Sequence, residues 1–142
     1  MNIVLNELRL VTTAPIQVID ITDQIQELVD RSGIKSGLLT LISRHTTAFV
    51  NLNERETNLQ RDMVDFLARI APPAAGYRHD VNPVDDRPNA HAHLAGLFMS
   101  ATQTIPVVEG RLLLGSWQSI LFVEVDGPRP SRSLTLQVMG ID

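Results

Sequence analysis

The order of the secondary-structure elements constrains the fold of this chain more than any other sequence feature. After residue 100 the chain contains four short segments rich in β-branched and apolar residues, at 104–108, 111–115, 118–125 and 133–140. The turn-forming residues Glu109-Gly110 and Asp126-Gly127-Pro128 separate them pairwise. Because no helices alternate with these strands, parallel βαβ units are excluded there. The sequence therefore predicts an α+β fold with a largely antiparallel sheet or sandwich.

The first half of the chain supplies four further strands and two main helices. The predicted strands span residues 3–12, 16–21, 37–43 and 47–52. Thr22 is expected to cap a helix of about eleven residues that ends at Gly33. A second, amphipathic helix is predicted over 54–70, where apolar residues recur at steps of three and four.

A long loop and one short helix are predicted between the two halves. Residues 71–88 contain four of the eight prolines, so most of this stretch cannot form regular structure. Loops of this length in compact domains are either functional or disordered, and Tyr77 with His79 favours an ordered one. Asn89 is expected to cap a short helix over 90–101. The residues expected on the inner side of that helix are Leu94, Leu97 and Phe98.

Length and composition fit a single domain over residues 1–142. The chain is 44% hydrophobic, which suffices for one core in a domain of this size. The apolar run Ile120–Val123 predicts a strand covered on both faces, either by helices or by a neighbouring subunit. The sequence is therefore compatible with self-association.

Composition also excludes several classes of function. The chain has no cysteine, so any metal must be bound by His, Asp or Glu, and thiol chemistry is excluded. A formal net charge of −4 argues against nucleic acid as a partner. No apolar run approaches the roughly 18 residues of a membrane span, and the first residues do not resemble a signal peptide. We therefore expect a cytoplasmic protein with neither a nucleic-acid nor a membrane partner.

The four histidines all lie between positions 45 and 93 and are the leading candidates for chemistry. His45 falls where one predicted strand ends and another begins, and His79 lies in the proline-rich loop. His45 could equally be an ordinary turn residue, and for His79 an ordinary solvent-exposed loop residue is the more common case. His91 and His93 are two residues apart, so on a helix they point about 200° away from each other. They cannot both chelate one ion there without distortion, and a single functional histidine is the simpler interpretation.

Other polar residues are compatible with binding a phosphorylated small molecule. Glu54 and Asp62 would lie on one side of the second helix about 12 Å apart, where carboxylates are most often solvent-exposed. Arg129 and Arg132 flank a turn and could bind a phosphate through their guanidinium groups, although exposed turn arginines usually do not. Trp117, the only tryptophan, is expected to be a core anchor.

These residues occur within an ordered series of short motifs that spans nearly the whole chain. The series is His45-Thr46-Thr47-Ala48, Asn53-Glu54, Arg61-Asp62, Tyr77-Arg78-His79, Ala92-His93-Leu94, Gly110-Arg111-Leu112, Gly115-Ser116-Trp117-Gln118 and Glu124-Val125-Asp126-Gly127-Pro128-Arg129. In this order and spacing it resembles the YjbQ-type family of small proteins, also called the secondary thiamine-phosphate synthase family.

The resemblance implies an α+β chain that forms a homotrimer, with polar sites at or near the subunit contacts. It also implies an activity, the joining of hydroxymethylpyrimidine diphosphate to thiazole phosphate with release of pyrophosphate. The positions that match the polar motif of the family are His45, Glu54, Asp62, His79, His93, Gln118 and Arg129. We therefore predict the catalytic residues His45, His79, His93, Glu54 and Asp62 and the substrate-binding residues Asn89, Trp117, Gln118 and Arg129.

Three functional hypotheses follow. In the first, the chain is an enzyme in which Arg129 and a divalent ion, Mg²⁺ or Zn²⁺, hold the diphosphate, while His45 and His93 transfer protons or bind the ion. Glu54 or Asp62 would orient a histidine or the ion, and no organic cofactor is expected. In the second, the chain is a noncatalytic trimer whose interface histidines bind a metal ion or an anionic metabolite. The third, a structural interaction module, predicts unpaired histidines on mobile loops.

Overall fold

The computed structural model describes residues 1–142 and contains eight strands, three α-helices and two single 3-10 turns. The strands are β1 (Asn2–Thr12), β2 (Gln17–Asp20), β3 (Ser36–Ile42), β4 (Ala48–Asn53), β5 (Thr102–Val108), β6 (Arg111–Leu112), β7 (Ser119–Glu124) and β8 (Arg129–Ile141). The helices are α1 (Thr22–Ser32), α2 (Thr57–Ile70) and α3 (Ala90–Ala95), and the 3-10 turns are Arg78–Asp80 and Gly96–Phe98.

The strands form two antiparallel sheets. Sheet 1 has the strand order β1-β8-β3-β5-β6, and sheet 2 has the order β2-β7-β4. Every paired strand is antiparallel to its neighbour. This arrangement confirms the α+β fold with antiparallel sheets that the element order predicts. None of the helices is long and apolar enough to cross a membrane.

The central strand of sheet 2, β7, is buried on both faces. Ile120 and Phe122 belong to the larger core, which lies between the two sheets and α1. Val123 and the following Val125 belong to a smaller core beneath α2 and α3. The prediction of two-sided burial for Ile120–Val123 is therefore confirmed, and sheet 1 and the helices of the same chain supply the cover.

Helix α1 follows its predicted span, but its first turn is capped differently. The helix ends at Gly33, whose φ of 74° is the left-handed conformation that glycine adopts most easily. Thr22 is the first helical residue rather than the cap. Asp20 Oδ1 accepts hydrogen bonds from the Thr22 amide at 3.0 Å and from its hydroxyl at 2.6 Å.

Helix α2 begins three residues later than predicted. The carboxylate of Glu56 caps it by accepting hydrogen bonds from two amides of the first turn, so the helix starts at Thr57 and not at residue 54. Glu54 therefore lies before the helix. The helical face that Glu54 and Asp62 were expected to share does not exist.

Helix α3 packs on sheet 2 through small residues. Its buried residues are Ala90, Ala92 and Ala95. The residues expected on its inner side are exposed by 39% for Leu94, 78% for Leu97 and 79% for Phe98. The helix lies so close to the sheet that a Cβ at Gly96 would come within 2.3 Å of the Phe49 ring. Because the regular helix ends at Ala95 and a tighter 3-10 turn follows, the later side chains rotate off the buried face.

The segment before β7 is irregular and exposed. β6 contains only two residues, and β7 begins at Ser119. Trp117 is 77% exposed, so the expectation that it anchors the core is wrong. Gln118 accepts a hydrogen bond from the Gly115 amide at 2.8 Å, which closes a local turn.

The outer face of sheet 1 carries exposed apolar side chains. Ile3 and Leu5 on β1 are 62% and 66% exposed, and Leu38 on β3 is 43% exposed. Ile3 and Leu38 both pair with Met139 of β8, so the three side chains form one row across the sheet. This row is an apolar surface on the face of the sheet opposite the core.

Candidate functional site

A polar cavity lies at the end of sheet 2 where β4 begins and β7 ends. Its volume is about 270 Å³, and none of its lining residues is hydrophobic. The loop before β4, the start of α3 and the start of β8 contribute most of the lining. The lining residues are Arg44, His45, Thr46, Thr47, Asp85, Asn89, His93, Arg129 and Arg132.

The base of this His45 cavity is a buried ion pair between Glu124 and Arg132. Arg132 donates through Nε to Oε2 at 2.8 Å and through Nη2 to Oε1 at 2.5 Å. The Thr12 hydroxyl and the Asp126 amide donate to the same carboxylate at 2.8 and 2.9 Å. Burial alone would raise the pKa of Glu124, but these hydrogen bonds outweigh it and lower the pKa below its usual value. The pair is therefore ionised and fixed in place.

Arg132 is held from two sides and still has a free donor. Its side chain is only 4% exposed, and Nη2 also donates to the Thr47 hydroxyl at 2.8 Å. Its Nη1 makes no hydrogen bond with the protein. A buried arginine in this geometry offers its remaining donor to whatever occupies the cavity.

A second carboxylate, Asp126, joins three elements around the cavity. Arg87 donates to it from Nη2 at 3.0 Å and from Nε at 3.2 Å, and Arg129 Nη2 donates at 2.6 Å. Asn89 Nδ2 donates at 2.8 Å. Burial would raise the pKa of Asp126, but the bonds from Arg87, Asn89 and Arg129 lower it to about 2. Asp126 thus fixes the proline-rich loop, α3 and β8 relative to one another.

His45 is held in its neutral form with a defined proton position. Its Nε2 accepts the Ser133 amide at 3.1 Å, so in this arrangement Nε2 carries no proton and Nδ1 carries one. Burial lowers the pKa of His45 below 6.5, and the positive charge of Arg132 lowers it further. Near neutral pH His45 is therefore a hydrogen-bond donor at Nδ1 rather than a base.

His79 and His93 lie beside each other, and His91 lies apart from them. The rings of His79 and His93 meet edge to face with centroids 5.0 Å apart. His79 Nε2 is 2.9 Å from Asn89 Oδ1. His91 does not line the cavity, and its buried Nδ1 has no partner. Of the two neighbouring histidines, His93 is therefore the one that lines the cavity.

The residues predicted for the site fall into two groups. His45, Asn89, His93 and Arg129 line the cavity, and His79 contacts it through Asn89. Glu54, Trp117 and Gln118 lie at the opposite end of sheet 2, since Asn53 pairs with Ser119 there while Ala48 pairs with Glu124 at the cavity end. Six residues of strand separate the two ends by about 17 Å. Asp62 is on α2 and lines a separate hollow with Asn53, Phe66 and Arg69.

The donor set of the cavity does not fit a resident metal ion. No group of three or more His, Asp or Glu side chains lies close enough together to hold one. The Nε2 atoms of His45 and His79 are already bonded to the protein, and Asp85 is the single carboxylate of the lining. The predicted metal ligands His45 and His93 therefore have no third protein ligand in this chain.

Five charged residues of the site were not among the predicted site residues: Arg44, Asp85, Arg87, Glu124 and Asp126. Arg132 was considered only as a turn arginine that could bind a phosphate, and its burial was not predicted. Glu124 and Arg132 carried a signal in the period-2 pattern of their strands, because Arg132 continues the buried row of β8 and Glu124 continues the row of Ile120 and Phe122. The pattern indicates that each charge is buried, but it does not report which residue pairs with it.

Comparison with known proteins gives a consistent result. A family model described as UPF0047 protein YjbQ-like matches residues 6–141. A UPF0047 protein of Methanothermobacter thermautotrophicus is 39% identical over 99% of this chain and 94% of its own length. The UPF0047 protein YugU of Bacillus subtilis is 33% identical over 96% of this chain and 99% of its own. The crystal structure of a YbjQ-like protein of unknown function from Sulfolobus solfataricus P2 superimposes with a TM-score of 0.91, at 36% identity and 98% coverage of both chains.

Proposed function

This chain belongs to the YjbQ-like UPF0047 family, and we propose that its His45 cavity binds the phosphate groups of a small anionic molecule. The observation that carries the proposal is Arg132, a buried guanidinium with one nitrogen left free at the cavity. Nη1 is not among the buried atoms that lack a partner, so it is accessible, and an anionic oxygen is the acceptor that binds a guanidinium best.

The charges around the cavity support an anion. Four arginines, Arg44, Arg87, Arg129 and Arg132, stand against the three carboxylates Asp85, Glu124 and Asp126. The chain as a whole carries a net charge of −4, so this positive excess is local. Arg44 makes no ion pair with any carboxylate. Its guanidinium and the Nδ1–H of His45 have no acceptor in the protein, so both are available to an anion in the cavity.

The reaction that we propose for the site is displacement of pyrophosphate. The lone pair of the thiazole nitrogen forms a bond to the methylene carbon of hydroxymethylpyrimidine diphosphate. The bond between that carbon and the diphosphate oxygen breaks, and the electron pair leaves with pyrophosphate. The nitrogen has no proton to lose, so the step requires no protein base. Arg44, Arg129 and Arg132 would stabilise the charge that develops on the leaving group.

This role for the arginines suits the protonation states of the site. Glu124 and Asp126 are ionised and committed to arginines, and His45 is neutral with its lone pair occupied. None of the three is available to accept a proton. Because the chain supplies no three-ligand set for a metal, we propose that Mg²⁺ accompanies the diphosphate as part of the substrate.

We also propose that the chain forms the homotrimer that the family resemblance implies. The apolar row Ile3, Met139 and Leu38 on the open face of sheet 1 supports burial of this face against a second copy. Glu54, Trp117 and Gln118 are too far from His45 to serve the same cavity within one chain. They could serve it only from a neighbouring copy.

A second candidate function is binding of an anionic metabolite without turnover. The observation that favours it is that Glu124, Asp126 and the lone pair of His45 are all committed to partners within the protein. Both candidates require the same anion contacts, so two experiments are needed to separate them.

The first experiment measures binding of pyrophosphate by isothermal titration calorimetry. We expect binding to the wild type, and a loss of roughly ten- to a hundredfold in affinity for Arg44→Gln, because charged hydrogen bonds contribute about 1.5–3 kcal/mol. Arg55→Gln is the control, since Arg55 is an exposed arginine at the other end of sheet 2. Equal affinity of the two variants would refute the anion site.

The second experiment incubates the protein with Mg²⁺, hydroxymethylpyrimidine diphosphate and thiazole phosphate. The enzyme is expected to form thiamine phosphate above the level of a reaction without protein, and Arg44→Gln is expected to form less. If the protein binds pyrophosphate tightly but forms no product, the synthase function is excluded and binding of an anionic metabolite is the function that remains.

A further inference from the structure

A second hollow lies against the His45 cavity and is chemically different from it. Its volume is about 480 Å³, and most of its surface is apolar. The residues that line it are Tyr77, Arg78, His79, Ala90, His93 and Leu94. We call it the ring hollow, because three of these side chains are aromatic rings.

The two cavities share one wall. His93 lines both of them, and the consecutive residues Asn89 and Ala90 line one each. The His45 cavity contains only polar residues, whereas the ring hollow has a single charged side chain, Arg78, which is exposed. An uncharged group is therefore the expected occupant of the ring hollow.

A relay of hydrogen bonds fixes the proton of His79. The Asp126 carboxylate is ionised and can only accept, so Asn89 must direct its Nδ2 toward Asp126, at 2.8 Å. Asn89 then presents Oδ1 to His79, and Oδ1 can only accept. The proton of a neutral His79 therefore resides on Nε2, which donates to Asn89 at 2.9 Å. His79 Nδ1 is left as a lone pair with no partner in the protein.

We propose that the ring hollow is a binding site for an uncharged aromatic group that carries an O–H or N–H donor, and that His79 Nδ1 accepts this donor. The faces and edges of Tyr77, His79 and His93 supply the apolar contact for the ring. Asn89 and Asp126 are positioning residues, because they act on the bound group only through the tautomer of His79. The site goes beyond the anion function and does not depend on an anion in the neighbouring cavity.

The tautomer is the first test, and it uses the wild-type chain. Two-dimensional NMR that correlates imidazole nitrogens with ring protons, recorded at pH 8, distinguishes protonated from unprotonated nitrogens. We expect His79 Nε2 to be protonated and Nδ1 unprotonated. The opposite tautomer, or an even mixture of the two, would overturn the proposal.

The second test compares two fragments of similar shape, phenol and anisole, by their effect on the His79 and His93 resonances. Phenol carries a donor and anisole does not, so we expect phenol to bind roughly three- to tenfold more tightly. His79→Phe keeps an aromatic ring but removes Nδ1, and we expect it to abolish the preference. His91→Gln, outside the hollow, should retain it.

Each outcome of the fragment test bears on the ring hollow alone. Equal binding of phenol and anisole to the wild type, or no shift of His79 with either, would overturn the proposal. A preference that persists in His79→Phe would also overturn it. A parallel titration with pyrophosphate reports on the His45 cavity, so failure of the anion site and failure of the ring hollow are distinguishable.

Discussion

The two ends of sheet 2 carry similar residue types but are built in different ways. At the cavity end, Glu124 and Arg132 are 0% and 4% exposed and share two hydrogen bonds. At the other end, Asp20 pairs with Arg55, whose side chain is 67% exposed, through one contact of 3.3 Å. The comparison shows that the residue type alone does not make a site. The cavity end is a candidate site because three chain segments converge there and bury the Glu124–Arg132 pair.

Burial makes the two ion pairs energetically different. A charge removed from water must be compensated by a partner and by hydrogen bonds, so loss of one partner leaves a large penalty. An exposed charge that loses its partner is simply solvated. The cavity end should therefore be rigid and sensitive to substitution, and the other end tolerant.

The largest expected effect is on folding stability. Arg132→Met leaves the Glu124 carboxylate buried without its main partner and should lower the free energy of unfolding by about 3–5 kcal/mol. The exposed counterpart Arg55→Met should cost less than about 0.5 kcal/mol. Urea denaturation followed by circular dichroism measures both. Similar losses in the two variants would remove the distinction between the two ends.

The next effect concerns acid stability. The pKa of Asp126 is lowered from 3.8 to about 2 in the folded chain, so its contribution is present above pH 3.8 and is lost as the pH falls toward 2. The corresponding free energy is about 2 kcal/mol. Asp126→Asn should remove this part of the pH dependence.

Unfolding curves between pH 5 and pH 2 for the wild type and Asp126→Asn provide the measurement. Trp117→Ala at the other end changes no titratable group, so it is the control and should keep the wild-type pH profile. A wild-type profile in Asp126→Asn would mean that Asp126 is not held by Arg87 and Arg129 as described.

A smaller effect is expected from the predicted binding residues at the far end. If one chain forms the whole site, Trp117→Ala and Gln118→Ala should change the affinity for pyrophosphate by less than about twofold. The reason is that substitutions on the surface away from a site usually have small effects. The same calorimetric titration measures this. A loss of tenfold or more, in protein that sediments as a trimer, would show that a neighbouring copy brings these residues to His45.

The smallest expected effect is on the titration of His45. Burial and the charge of Arg132 lower the pKa of His45, and the more distant Arg129 adds a minor lowering. Its NMR midpoint should therefore lie below 6.5 and rise slightly in Arg129→Gln. Arg55→Gln should leave it unchanged. A wild-type midpoint above 6.5 would contradict the environment described for this imidazole.

Local sequence patterns gave reliable information about which elements form. Four consecutive apolar residues leave no strand face for water, so the sequence predicts that β7 is covered on both faces. The structure confirms this burial. The start of α2 was missed because the apolar periodicity does not report the capping role of Glu56. Leu97 and Phe98 were assigned to the core because their residue types fit, but the helix ends before them and leaves them exposed.

The candidate site was less predictable than the fold for a physical reason. His45, His93 and Arg129 could be named from the sequence, but their grouping with Arg44 and Arg132 depends on which strand ends meet. Glu54 follows His45 by nine positions and Gln118 precedes Glu124 by six, so nearness in sequence suggests that both belong to the site. The antiparallel register of β4 and β7 places them about 17 Å away.

The sequence by itself determined the α+β element order, the buried β7 and the proline-rich loop, because these follow from local composition and periodicity. The tertiary structure alone decided that Glu124 and Arg132 pair, that Asp126 joins the loop to α3 and β8, and that Trp117 stays outside. These facts depend on contacts between residues far apart in the chain. Such contacts are set by strand register and sheet packing, which no local pattern encodes.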